Sequence, residues 1–203
     1  FHNLHAAPVD IAAHLHALLF RDDHTCIMTS ATLGTGDESL GYFRRRVGAD
    51  DVNALRVGSP FDYERQMRLY VTKKMPDPRD ASYEQALAEK IEHFVAMTHG
   101  RAFVLFTSYK TMQNVASLCR ETLDEDHDMT LLVQGEGLTR HRLIDEFKKD
   151  DRHVLFGTKS FWSGVDVPGE ALSNVIITRL PFAVPDTPLI EARLEQIEAD
   201  GGN

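Results

Sequence analysis

Apolar residues recur at helical spacing over residues 8–20, where Val9, Ile11, Ala12, Leu15, Leu18 and Leu19 share one face, so this segment is predicted to be a helix. The polar run Arg21-Asp22-Asp23-His24 then gives way to a short apolar stretch over residues 25–29, expected as a strand. A loop over residues 30–36 leads to a predicted short helix over 38–47, with Gly48 placed to stop it. Residues 55–57 read as a weak strand and 68–72 as a stronger one, broken by Met75-Pro76-Asp77-Pro78. The next helix announces its start: Ser82 is expected to cap it, with Gln85 completing a capping box. Leu87, Ile91, Phe94 and Val95 form its apolar face, and Gly100 stands at its end.

The second half alternates more regularly. Residues 102–106 form a continuous apolar strand, after which Thr107-Ser108-Tyr109-Lys110 opens a helix with Met112, Val115, Ala116, Cys119 and Leu123 on one face. The acidic turn Asp124-Glu125-Asp126 precedes a strand over 130–133, and Gln134-Gly135-Glu136-Gly137 leads to a helix through Leu143, Ile144 and Phe147. Strands over 153–157 and 174–180 follow, and Thr187 and Pro188 are placed to cap and open a last helix carrying Ile190, Leu194 and Ile197. Apolar strands alternating with amphipathic helices imply an α/β domain with a mostly parallel sheet covered on both faces. Residues 34–36 and the segment around Pro60 are the candidate boundaries, and the sequence contains no internal repeat or low-complexity linker.

Composition sets limits on this picture. A chain of 203 residues, 42% hydrophobic and 26% charged, builds one full core with room for part of a second. No apolar run approaches the about eighteen residues of a membrane span, and the start Phe1-His2-Asn3-Leu4-His5 lacks the basic and apolar regions of a signal peptide. The expectation is a cytoplasmic protein with no membrane partner. Cys26 and Cys119 lack a CxxC companion and read as buried thiols. His14 and His16 are two residues apart and share no helical face, and no tight histidine and carboxylate cluster recurs, so no metal site is expected. A formal charge of -9 argues against coating nucleic acid by bulk electrostatics but leaves room for a narrow phosphate-binding strip. The basic clusters Lys73-Lys74, Arg140-His141-Arg142, Lys148-Lys149 and Lys159 are short and mixed with acids, and most read as solvated surface.

The densest chemistry lies in His153-Val154-Leu155-Phe156-Gly157-Thr158-Lys159-Ser160-Phe161-Trp162-Ser163-Gly164-Val165-Asp166-Val167-Pro168-Gly169, where a strand runs into hydroxyls, glycines, a lysine and an aspartate. Such a loop places backbone N–H groups and small polar side chains at the end of a buried sheet, where ligands of open α/β proteins sit. Thr107 and Ser108, Gln134 and Gly135, and Thr158, Lys159 and Ser160 follow three successive strands, and a parallel sheet opens all three ends on one edge. Hydroxyls, backbone N–H groups and a lysine in that arrangement suit the handling of phosphates. Thr107 and Ser108 equally suit capping of the next helix, and the two roles are compatible. Trp162, the single tryptophan, suits base stacking or packing, with packing favoured.

Several separated motifs then carry a family resemblance in one order. Thr29-Ser30-Ala31-Thr32-Leu33 resembles motif III of superfamily-two helicases, Val104-Leu105-Phe106-Thr107-Ser108-Tyr109 resembles motif IV, and residues 155–168 resemble motif V. With Ile176-Ile177-Thr178-Arg179-Leu180-Pro181-Phe182-Ala183-Val184-Pro185 they look like the second motor lobe of the DinG and XPD-like DNA helicases, closest to DinG. The resemblance implies a RecA-like, P-loop NTPase type three-layer domain. On this basis residues 1–35 are the tail of a first lobe and 36–203 a second lobe truncated before motif VI. It implies a motor driven by ATP and Mg²⁺ that moves 5′ to 3′ on single-stranded DNA and unwinds duplexes in repair or replication, its first lobe lying upstream in the same polypeptide. Thr107, Ser108, Tyr109, Gln134, Gly135, Thr158, Lys159 and Ser160 would contact DNA. Gly164 and Asp166 would face nucleotide and the other lobe, and Thr29, Ser30, Ala31 and Thr32 would couple the two sites.

Ser163 stands where these relatives usually carry glutamate, which leaves that side chain's role in doubt. The chain has no GxxxxGKS/T phosphate loop, no DEAH-like magnesium motif and no motif VI with its arginine finger, so it supplies no catalytic residue and is expected to be inactive alone. Its cysteines say nothing of the iron-sulfur cluster that many relatives hold upstream. An RNA helicase second lobe shares Gln134-Gly135, Phe147, Thr158, Gly164 and Asp166 but usually carries an arginine-bearing motif V unlike Phe161-Trp162-Ser163-Gly164, and a flavodoxin-like binding domain needs only the alternating pattern.

Overall fold

Four short strands, β1 (Ala102–Leu105), β2 (Thr130–Val133), β3 (His153–Gly157) and β4 (Asn174–Ile177), pair in parallel in the order β2-β3-β1-β4. The computed structural model describes residues 6–202 except 22, 35, 37, 38, 184 and 186. Contacts divide these residues into two units, one within 70–182 and one within 1–69 and 183–203.

The sheet belongs to the 70–182 unit. Successive strand residues point to opposite faces, and in β1 and β3 both sets are buried and, His153 apart, apolar. On one face Ala102, Val104, Val154 and Phe156 pack with α4 (Tyr83–Ala96) and α5 (Tyr109–Glu121) through Leu87, Ile91, Val95, Met112, Val115 and Cys119. Burial there pushes the Cys119 thiol up to about 12, so it stays protonated and unreactive near neutrality. On the other face Phe103, Leu105 and Leu155 pack with Leu143, Ile144 and Phe147 of α6 (Arg140–Phe147), and with Phe161. The result is the three-layer α/β, RecA-like architecture expected from the sequence. At the edge strand β4 the side chains are only partly covered, and Val175 and Ile177 are half exposed.

The 1–69 and 183–203 unit holds α1 (Ala12–Leu19), α2 (Gly41–Val47), the single-turn α3 (Tyr63–Gln66) and α7 (Pro188–Ala199). Gly48 ends α2 in the left-handed conformation, φ +69°, and a Cβ there would lie 2.3 Å from the Ala12 carbonyl oxygen. His16 Nδ1–H donates to the Gly48 carbonyl at 2.6 Å, so α1 is held against the turn that glycine makes possible. The predicted helix start at Glu38 lies outside the described residues, as do Thr35 and Val184. Among the described residues no helix is long and apolar enough to cross a membrane.

Several local expectations are corrected. Residues 25–29, 55–57 and 68–72 are extended or irregular, not strands. A strand is completed by a ladder partner, and no described residue pairs with them; Ile27, Leu55 and Leu69 are each at least 80% exposed. Ser82 occupies the N-cap position but makes no capping bond, because its backbone is already helical at φ −82°, ψ −8°. The chain instead enters α4 through a turn in which Tyr83 N–H donates to Asp80 O at 3.0 Å, and Gln85 Nε2 donates to Glu89 at 3.4 Å. Asp124-Glu125-Asp126, expected as a turn, instead belong to a π-helical turn, Thr122–Asp126, that prolongs α5. β4 stops at Ile177 rather than 180, although Thr178 N–H still donates to Leu105 O at 3.1 Å.

Candidate nucleic-acid interface

Because all four strands are parallel, the C-terminal ends of β1, β2 and β3 open on one edge of the sheet. Thr107 and Ser108 follow β1, Gln134 and Gly135 follow β2, and Thr158, Lys159 and Ser160 follow β3. Ser108 has an extended backbone, and its Oγ accepts from Thr111 N–H at 3.3 Å, which starts α5. Its capping role is therefore real, and Thr107, Ser108 and Tyr109 remain exposed beside it.

Gln134 ties the three ends together. Its Oε1 accepts from Thr158 N–H at 2.8 Å and from Thr158 Oγ1 at 2.9 Å, which orients the amide and leaves Nε2 as a donor. Its backbone carbonyl accepts from the Tyr109 hydroxyl at 3.1 Å and from Gln113 Nε2 at 3.3 Å. Gly135 adopts φ +94°, and a Cβ there would sit 1.8 Å from the Tyr109 hydroxyl oxygen. Thr158 is half-buried and spends its proton on Gln134, whereas Lys159 and Ser160, in the 3-10 turn Lys159–Phe161, are exposed. Among the described residues Lys159 has no ion-pair partner, so its charge is available to a ligand.

The loop beyond β3 turns on its aromatic pair. Phe161 is buried against Gly157, where any Cβ would lie 2.6 Å from the Phe161 ring. Trp162 packs against the α6-side core and its indole N–H donates to Phe106 O at 3.2 Å, the packing role expected of it. Gly164 then takes φ +66°, and Asp166 is exposed. Arg140, which the sequence places in a cluster read as solvated, reaches this loop from α6. Its Nε donates to Ser160 O at 2.9 Å, and its Nη2 donates to Ser163 O at 3.1 Å and Gly164 O at 2.8 Å. Its guanidinium carbon lies 5.7 Å from the Phe161 ring centroid. The partners are backbone carbonyls, so no residue type in the sequence signals them. Ser163 enters this arrangement through its backbone, and its side chain is exposed.

Beside Thr107 and Ser108 a small concavity of about 40 Å³ is also lined by Pro78, Tyr83, Thr178 and Arg179. Arg179 adds a cation at the end of β4 that motif reading did not single out, and it helps Arg79 hold the Asp77 carboxyl below its usual range. A larger concavity of about 550 Å³ lies at the opposite edge, where Arg101, Lys148, Lys149 and Arg152 alternate with Asp150, Asp151 and Glu170. Its charges largely neutralise one another; Arg101 pairs with Asp151 at 2.9 Å. Thr29, Ser30, Ala31 and Thr32 lie in the other unit, where Thr32 N–H donates to Ser30 Oγ at 3.2 Å within an exposed turn. Among the described residues no three His, Cys, Asp or Glu side chains are grouped to hold a metal ion.

Comparison with known proteins gives this edge its context. Residues 91–203 match the helicase C-terminal domain. The chain is 38% identical over 200 residues to the ATP-dependent DNA helicase YoaA of Haemophilus influenzae, covering 98% of this chain and 30% of the relative. It is 35% identical over 206 residues to the ATP-dependent DNA helicase DinG of Photobacterium profundum, covering 98% and 29%. It is 32% identical over 206 residues to the 3'-5' exonuclease DinG of Bacillus subtilis, covering 98% and 22%. The chain thus spans less than a third of each of these relatives. With a parallel α/β sheet and a motif match over more than half its length, the chain belongs to the helicase C-terminal domain family.

Proposed function

We propose that this chain is the second motor lobe of a longer ATP-dependent DNA helicase, and that the strip formed by the ends of β1, β2 and β3 holds single-stranded DNA by its phosphates. The observation that carries the reading is the bridge from Gln134 to Thr158, with Tyr109 on the Gln134 carbonyl, which fixes three strand ends as one exposed polar edge. Exposed Thr107, Ser108, Lys159 and Ser160, with the amide nitrogen of Gln134, offer donors to phosphate without reading bases. The similarity to DNA helicases that use ATP supports DNA over RNA.

In this reading Gly164 and Asp166 face the nucleotide and a first lobe, residues 1–35 belong to that first lobe, and residues 29–32 couple the two sites. The residues present do not fit ATP and Mg²⁺ by themselves: the sequence has no phosphate loop, and among the described residues no three His, Cys, Asp or Glu side chains are grouped to hold a metal ion. No step of hydrolysis is therefore assigned to this chain. Movement 5′ to 3′, a role in repair or replication and a cytoplasmic location complete the proposal. The test is single-strand binding by the longer protein across a salt series. Lys159→Ala with Ser160→Ala should weaken binding to an oligothymidylate and lower the salt slope by about one. An unchanged affinity and slope would remove the strip from the DNA path.

A further inference from the structure

The loop from Thr158 to Asp166 has almost no regular structure of its own beyond one 3-10 turn, yet it must present two faces at a fixed separation. Its β3 end is fixed by the Gln134 bonds to Thr158. Past Ser160, its polar tie to the rest of the lobe is chiefly Arg140, which grips the carbonyls of Ser160, Ser163 and Gly164 from the first turn of α6. These carbonyls lie on both sides of the Phe161-Trp162 pair, and the guanidinium also approaches the Phe161 ring. A planar guanidinium presents several donors in a rigid fork, which a lysine ammonium on a flexible stem does not reproduce.

We propose that Arg140 is a positioning residue: it clamps the two halves of the loop into one rigid body, so that a shift at Gly164 and Asp166 is transmitted to Lys159 and Ser160. This rests on the proposed assignment of nucleotide to the first pair and DNA to the second. In this assignment Arg140 acts through the loop carbonyls it holds and not on either ligand. Its neighbour Arg142, two positions further along the Arg140-His141-Arg142 run, is exposed and supplies a charge control on the same helix.

The test uses the full-length protein with Arg140→Met, Arg140→Lys and the control Arg142→Ala. Two quantities are read: amide hydrogen exchange over residues 159–166, which needs no activity, and ATP turnover at saturating ATP and single-stranded DNA. Both Arg140 variants should exchange faster in the loop while β1 and β3 stay protected, and their stimulated turnover should fall roughly ten- to a hundredfold. Arg142→Ala should match the wild type in both. Wild-type exchange and turnover in Arg140→Lys would overturn the proposal, since charge alone would then suffice. Undiminished turnover despite a loosened loop would overturn the transmission role while keeping the clamp. Should Arg140→Met lose protection in β3 as well, Arg140→Lys decides alone. A wild-type protein with no DNA-stimulated turnover would sink the helicase reading, and the transmission role with it; the exchange arm would still decide whether Arg140 holds the loop.

Discussion

A methyl group at position 135 would lie 1.8 Å from the Tyr109 hydroxyl oxygen, on a residue whose φ of +94° already disfavours any side chain. Gly135→Ala therefore meets a backbone penalty of about 1–3 kcal/mol and a collision with the bond that joins the first two strand ends. In a Tyr109→Ala background the collision disappears and only the backbone part of the cost remains. Chemical denaturation of the four-member mutant cycle measures this, and equal costs in both backgrounds would show that Tyr109 exerts no steric control. At this scale the sequence marks Gly135, Thr158 and Lys159 as a group, because small and polar residues crowd at strand ends. Arg140 escapes such reading, since it bonds only to carbonyls that every residue owns. Arg179 escapes for a related reason: its place at the edge follows from β4 pairing beside β1, which is a matter of strand order.

Among the elements, α5 concentrates the overlap of stability and function. Ser108 caps it through Oγ, and the same hydroxyl edge is proposed to meet phosphate. The two roles separate with Ser108→Asp, because aspartate caps as well as serine but repels phosphate. Stability should stay close to wild type, whereas single-strand affinity should fall; Ser108→Ala should instead cost about 1 kcal/mol of stability. Denaturant unfolding curves beside binding titrations check both, and wild-type affinity in Ser108→Asp would place Ser108 away from phosphate. The helices and strands of the 70–182 unit were legible because burial on both faces makes them continuous or strictly periodic. Residues 25–29 and 68–72 were not, since β-branched composition names a segment able to pair while the partner decides whether it does. The Ser82 box failed for a local reason, as the turn from Asp80 brings the backbone into helical geometry one residue early.

For the whole molecule, the parallel order β2-β3-β1-β4 is what turns scattered motifs into one edge. Three separate strand ends converge because every crossover carries the chain back to the same end of the sheet, so that all the strands run one way. That convergence, together with the helicase C-terminal domain match over residues 91–203, supports the proposal that this edge grips DNA and receives nucleotide as one part of a longer enzyme. The central claim is most directly tested by ATP turnover of the 203-residue chain and of the longer protein, each with and without single-stranded DNA. The account predicts no turnover by the chain alone, and DNA-stimulated turnover by the longer protein that Asp166→Ala abolishes. Turnover by the isolated chain that Asp166→Ala abolishes, or a longer protein indifferent to single-stranded DNA, would contradict it.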